Sequence, residues 1–247
     1  MDIDKLKEEC GVFGVYGIDE AAVLTTLGLH SLQHRGQEGA GIVSFDGNNF
    51  HVVKKEGLVG DNFNHAETLS KLPGNQAIGH VRYSTTGSSK PENLQPLFAN
   101  LAYGGFACAH NGNLTNTRAL TQKLVETGSI FQTTSDTEIV LQLVARSKKK
   151  KTIDKIKDAL SQIQGAYSLI IMTNKKLIGV KDPFGIRPLV LGKKNSAYVL
   201  ASETCALNII GAQYIRDIEN GEMVVITKAG LESIKLFPDY KERPCIF

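Results

Sequence analysis

The 247-residue sequence has no apolar run approaching the ~20 residues that a membrane-spanning helix needs. Its opening residues, MDIDKLKEE, are charged and lack the apolar centre of a secretory signal. The four cysteines (Cys10, Cys108, Cys205 and Cys245) form no CxxC pair and follow no regular spacing. A disulfide framework is therefore not expected, and a reducing, cytoplasmic setting is. The formal net charge is only +3, too mild for the concentrated basic face of a nucleic-acid binder. Neither nucleic acid nor a membrane is expected as a partner. Internal repeats and low-complexity linkers are absent too. What is present is ordinary for a folded globular chain, with 42% hydrophobic and 21% charged residues. A chain of this length buries enough surface to need no covalent staples.

Hydrophobic spacing predicts a helix over 19–34, with Asp19 as its N-cap. Strands are expected over 42–44 and 50–54, either side of the turn Asp46-Gly47-Asn48-Asn49, and again over 77–82. A small-residue apolar stretch, 101–110, runs into Asn111-Gly112. Helices are expected over 116–126 and 135–145, the second opened by a Ser135-Asp136-Thr137-Glu138 capping box. The run Lys148-Lys149-Lys150-Lys151 reads as a solvated helix end or loop. After a helix over 153–163 the pattern turns to strands at hairpin spacing: 166–173, 176–181, 189–191, 197–201, 213–217, 223–227 and 231–235. Strands and helices mix without strict βαβ alternation, which favours an α+β layered fold with largely antiparallel sheets.

Cys10 stands behind a short charged leader and ahead of the glycine-punctuated strand Gly11-Val12-Phe13-Gly14-Val15. The plain reading is a buried cysteine on a first strand. A cysteine freed as an N-terminus has another use. Its own α-amine, with a pKa of roughly 7.7–8.0, can take the thiol proton and later protonate a departing amine. While the leader, residues 1–9, remains attached, that nitrogen is an amide and cannot act as a base. Acyl transfer also needs fixed donors for the tetrahedral oxygen, which Asn111 and Gly112 can supply. Taken alone, Asn-Gly is a hairpin-turn signal. A zwitterionic amino-acid substrate would need a cation for its carboxylate and an anion for its ammonium group. Arg82 and Asp136 fit those roles, although a lone Arg or Asp is usually a surface ion or a helix cap.

These segments resemble the class II glutamine amidotransferases, a branch of the N-terminal nucleophile hydrolases. Cys10-Gly11-Val12-Phe13-Gly14 carries the resemblance, with His34-Arg35-Gly36-Gln37-Glu38-Gly39-Ala40-Gly41 and Gly79-His80-Val81-Arg82-Tyr83-Ser84-Thr85-Thr86-Gly87. His110-Asn111-Gly112-Asn113 and Thr134-Ser135-Asp136-Thr137-Glu138 extend it in the family's order over essentially the whole chain. The leader, Asp182-Pro183-Phe184-Gly185-Ile186-Arg187-Pro188-Leu189 and Ala201-Ser202-Glu203-Thr204-Cys205-Ala206 are similar to the branch that forms 5-phosphoribosylamine in purine synthesis. The hexosamine branch has Arg-Trp-Ala-Thr-His-Gly where this chain has Arg82-Tyr83-Ser84-Thr85-Thr86-Gly87.

The resemblance implies a four-layer αββα sandwich with the cysteine at the end of a central strand. It implies a leader over 1–9 and a glutaminase domain over 10–247. Cys10 would be the nucleophile, Asn111 and Gly112 the oxyanion hole, and Arg82, Thr85 and Asp136 the residues that hold L-glutamine, with Arg35 on a loop near the site. The expected reaction is hydrolysis of glutamine to glutamate and ammonia, for which no cofactor is required. Nothing in the sequence resembles a phosphoribosyl site, so a phosphoribosyltransferase domain or chain is the expected partner, and a homo-oligomer is one assembly the family allows. In a full-length protein the resemblance brings Mg and, in some members, a [4Fe–4S] cluster, with Cys245 in the place of its first ligand. A cluster normally needs four thiolates. Cys10 is committed elsewhere and Cys108 and Cys205 read as core, so no cluster is expected in this chain alone. Two other readings stay open: a catalytically silent regulatory or assembly fragment, and an N-terminal nucleophile hydrolase for another amide.

Overall fold

The structure, a computed structural model, describes residues 10–83 and 91–237. The leader, Thr85 and Cys245 lie outside them. The first part of the chain forms β1 (Gly11–Tyr16), α1 (Ala21–Ser31), β2 (Gly39–Phe45), β3 (Phe50–Glu56), the short α2 (Val59–Asn62) and α3 (Ala66–Ser70), and β4 (Gln76–Arg82). Next come β5 (Leu97–Leu101), β6 (Gly104–Leu114), α4 (Thr117–Glu126), α5 (Thr137–Arg146) and α6 (Thr152–Leu160). The remainder is β7 (Gly165–Thr173), β8 (Lys176–Lys181), β9 (Val190–Lys194), β10 (Ala197–Ala201), α7 (Thr204–Ile209), β11 (Gln213–Asp217), β12 (Glu222–Thr227) and β13 (Gly230–Lys235).

The strands make two sheets, one of seven in the order β11-β9-β10-β1-β4-β2-β3 and one of six in the order β13-β12-β8-β7-β6-β5. Strand pairs within both are antiparallel. Because side chains alternate across a strand, each sheet buries two faces. Along β1, Phe13 and Val15 pack with Ala21 and Leu29 of α1, while Val12 and Tyr16 pack between the sheets. Along β7, Leu169 and Ile171 pack with Val140 of α5 and Ile156 of α6, and Ile170 and Met172 face the other sheet. The result is the expected α+β sandwich of four layers: α1 and α7, the seven-stranded sheet, the six-stranded sheet, then α4 to α6. Glycines let the outer layer settle closely. A Cβ on Gly28 would lie 2.4 Å from the Phe13 ring, and one on Gly79 2.6 Å from Leu29.

Three local expectations are corrected. Asn111 and Gly112 make no turn; they continue β6, opposite Ser168 and Tyr167 of β7. The long apolar ladder from Phe106 onward carries the strand past the dipeptide. Asp19 does not cap α1. Glu20 occupies that position with no side-chain cap, and the Ala21 N–H donates instead to the Gly74 carbonyl at 3.4 Å. The capping box is not formed either. Glu138 reaches back further and accepts the N–H groups of Gln132 (2.9 Å) and Thr133 (2.7 Å), so it staples the preceding loop. Lys148 to Lys151 are exposed, as the solvated reading has it.

Candidate active site

Cys10 sits at the mouth of β1, the middle strand of the larger sheet. It adopts φ +60°, a left-handed conformation that costs a non-glycine residue about 1–2 kcal/mol. A closed pair of hydrogen bonds holds it there. The Cys10 N–H donates to the Arg35 carbonyl at 2.9 Å, and Arg35 Nε donates to the Cys10 carbonyl at 2.7 Å. Arg35, on a 3₁₀ turn after α1, is buried and ion-paired through its guanidinium to Glu203. Glu203 also meets His34 Nε2 at 3.1 Å. Burial opposes the Glu203 charge, but Arg35 and His34 outweigh it and hold the carboxyl below its usual range. Arg35 therefore stands next to Cys10, with its side chain turned to the Cys10 carbonyl and to Glu203.

The Cys10 thiol donates to the Tyr83 carbonyl at 3.4 Å and opens onto a cavity of about 990 Å³. Arg82, Gly112 and Asp136 share its wall with Gln95 and His110. The structure therefore brings Cys10, Arg82, Gly112 and Asp136 to one space. Asn111 lies behind this wall, fully buried, and neither its amide nitrogen nor its oxygen has a partner among the described residues. An orphaned buried polar group costs about 1–3 kcal/mol, so the amide is a feature that packing alone does not explain. Gly112 has φ +146°, and a Cβ there would stand 2.1 Å from the Ala166 carbonyl oxygen. Only glycine fits.

His110 is braced on three sides. Its N–H donates to Gln95 Oε1 at 2.8 Å, its carbonyl accepts from His80 Nε2 at 3.1 Å, and its Nδ1 meets Asp136 at 3.2 Å. Asp136 also accepts the Leu114 N–H at 3.0 Å. Burial works against the Asp136 charge, yet His110 and the N–H groups of Leu114 and Thr137 prevail and keep the carboxyl below its ordinary range. Arg82, buried on β4, donates to the Asn93 carbonyl at 3.0 Å, and its Nε is 3.9 Å from Glu38. A cation and an anion thus flank the cavity, each already anchored by more than one protein contact.

The described cysteines do not fit a metal cluster. Cys10 is on the cavity wall, Cys108 is buried between the smaller sheet and its helices, and Cys205 packs on the opposite outer layer. Burial, with Asp136 nearby, pushes the Cys108 thiol far up. Among the described residues no group of three or more His, Cys, Asp or Glu side chains is placed to hold a metal. No described helix is long and apolar enough to cross a membrane. Sequence reasoning missed His80, Gln95 and Glu203. His80 lies inside a family motif, but Gln95 stands in no quoted segment, and the pairings of all three are long-range.

A family model described as a glutamine amidotransferase domain matches residues 80–208. The amidophosphoribosyltransferase of Rhizobium etli is 52% identical over 252 residues, which cover 100% of this chain and 51% of that protein. The amidophosphoribosyltransferase of Bacillus subtilis is 51% identical over 233 residues, covering 94% of this chain and 49% of that one. The chain spans about half the length of the curated relatives it matches. Among solved structures, the glutamine phosphoribosylpyrophosphate amidotransferase of B. subtilis, complexed with ADP and GMP, superposes with TM-score 0.91 at 48% identity. That match covers 96% of this chain and 51% of the other.

Proposed function

From the premise that the chain belongs to the glutamine amidotransferase domain family, we propose that it hydrolyses L-glutamine to glutamate and ammonia through a thioester on Cys10. The observation that carries the reading is the single cavity shared by the Cys10 thiol, the Arg82 cation and the Asp136 carboxylate, with the orphaned Asn111 amide behind it. The leader falls outside the described residues, and its removal is part of the proposal.

Once freed, the Cys10 amine would stay bonded to the Arg35 carbonyl, which now accepts the Cys10 N–H at 2.9 Å. The amine takes the thiol proton, and the sulfur attacks the carboxamide carbon. A carbon–sulfur bond forms, and the carbonyl π pair moves to oxygen, where the Asn111 amide and the Gly112 N–H are the proposed donors. Collapse breaks the carbon–nitrogen bond, and the amine's proton leaves with ammonia. Water then attacks the thioester, releasing glutamate and restoring the thiol. Arg82 would hold the α-carboxylate and Asp136 the α-ammonium, with Thr85 in the same set. The ammonia would pass to a phosphoribosyltransferase domain or chain to make 5-phosphoribosylamine, in a cytoplasmic protein that assembles as a homo-oligomer. Any Mg or iron–sulfur cluster, with Cys245 as a ligand, belongs to that fuller protein.

The test pairs the mass of the purified N-terminus with glutamate release from glutamine. A chain beginning at Cys10 should turn over and Cys10→Ala should not. Turnover surviving in Cys10→Ala, or a silent chain with Cys10 free, would end the reading.

A further inference from the structure

We propose that His80 is a positioning residue for the oxyanion donor: its Nε2–H, bonded to the His110 carbonyl, sets the plane of the peptide that carries Asn111. This rests on the glutaminase reading above. The bond is 3.1 Å long and joins β4 of the larger sheet to β6 of the smaller one. Around it the inter-sheet layer is apolar, with Ile78, Ala109 and Ile170. A carbonyl only accepts, so Nε2 must carry the hydrogen and Nδ1 must be the bare nitrogen. Nδ1 has no partner among the described residues, and the ring is fully buried.

Such a ring is costly where a leucine would fill similar space. What it holds explains its presence. The His110 carbonyl and the Asn111 N–H are two ends of one planar peptide. Pairing with Ser168 of β7 holds the Asn111 end of that peptide, Gln95 fixes the His110 N–H and Asp136 its imidazole, so the His110 carbonyl is the end that the smaller sheet leaves to a partner from the larger one. A tilt of the strand at that carbonyl shifts the Asn111 Cα and with it the side-chain amide, which has no hydrogen bond of its own among the described residues to resist the shift. His80 supplies the restraint from outside. Burial and the neighbouring Arg82 charge also keep the ring neutral, down to a pKa of about 3, so the donor and acceptor ends stay assigned.

The experiment compares three substitutions in the full chain with Cys10 free. His80→Leu removes the donor, His80→Asn is too short to reach, and His80→Gln returns an N–H near the Nε2 position. Leu and Asn should lower kcat about 10- to 100-fold, with the KM for glutamine within about threefold, and Gln should recover most of the loss. The second readout is the γ-semialdehyde of glutamate. Its carbon takes the thiol sulfur, the thiol proton moves to the new oxygen, and that oxygen occupies the oxyanion position. Its affinity should fall in step with kcat in the Leu and Asn variants, while glutamate binds unchanged. If the leucine variant does not fold, Asn against Gln gives the same contrast. A rise in KM at constant kcat overturns the proposal, as does equal loss in all three variants with the aldehyde bound as tightly as before. An unsubstituted chain that releases no glutamate overturns the glutaminase reading first, and this one with it.

Discussion

Asn111→Ala separates stability from activity at one position. The side chain is fully buried with both amide atoms unpartnered among the described residues, a penalty of about 1–3 kcal/mol for the amide as a whole. Alanine removes both groups. It also removes their packing contacts, and deleting a few buried atoms costs on the order of 1–2 kcal/mol where the surroundings do not collapse. The two effects are of similar size, so folding stability should stay level or rise by up to ~2 kcal/mol. For a domain of this size that places the melting temperature between no change and a rise of about 4–8 °C. Activity should behave in the opposite way. Losing one oxyanion donor costs about 100- to 1,000-fold in kcat. Differential scanning calorimetry and glutamate release on the same preparation read both quantities. A fall of more than about 5 °C would mean that the amide is satisfied in the native protein, and the argument from its orphaned atoms would collapse.

Three further outcomes follow from the same geometry. Arg82→Ala and Asp136→Ala should each lower kcat/KM for glutamine about 10- to 100-fold, mostly through KM, as expected for one charge-assisted hydrogen bond. Steady-state kinetics that leave KM untouched in both would dismiss the zwitterion clamp. Stability should fall with acid because of His80. Its folded pKa of about 3 lies below the ordinary value, so the unfolded chain alone takes up a proton as the pH drops below ~6.5. The contribution is complete above ~6.5 and lost at about 1.4 kcal/mol per pH unit on the way toward 3. Urea unfolding at pH 6.5 and 4.5 should therefore show a loss about 2–3 kcal/mol smaller in His80→Gln than in the unsubstituted chain, and parallel losses would refute it. Asp136, held below its ordinary range, acts at lower pH: its contribution is present above ~3.9 and lost as the pH falls through the folded value.

Most sheet elements are readable because their signals are local, although β5 (Leu97–Leu101) falls outside every expected strand. Strands β8, β10 and β11 begin and end where alternation and turn residues place them. Short α2 was not anticipated, because what starts it is distant: the Val59 N–H donates to Gln33 Oε1 at 2.7 Å. The same distinction runs through the site. Cys10, Arg82, Gly112 and Asp136 each stand in a recognisable segment, and the fold gathers them. The supporting bonds join residues far apart, 30 positions for His80 to His110 and 168 for Arg35 to Glu203, and no local pattern encodes such pairs. One of the segments that carry the resemblance is built locally. Asp182, buried at the head of its conspicuous loop, accepts the N–H groups of Phe184 (2.8 Å) and Gly185 (2.9 Å) and so builds a turn.

The local costs in this structure point to the chemistry more directly than the fold does. A left-handed cysteine and buried polar atoms without partners are features that packing would remove, and they persist where something else requires them. Side-chain atoms of His80, His110 and Asn111 have no hydrogen-bond partner among the described residues, and all three residues sit toward the ends of β4 and β6 beside Cys10. The Arg35 ring of hydrogen bonds holds the strained Cys10 backbone, and the brace around His110 holds the unbonded Asn111. Each brace runs between elements distant in sequence, so the complete fold is needed before either exists. The proposed nucleophile and the proposed oxyanion donor come from different sheets, and the His80 side chain crosses between those sheets to the peptide of Asn111. That is why replacing it should disturb the transition state more than the bound substrate.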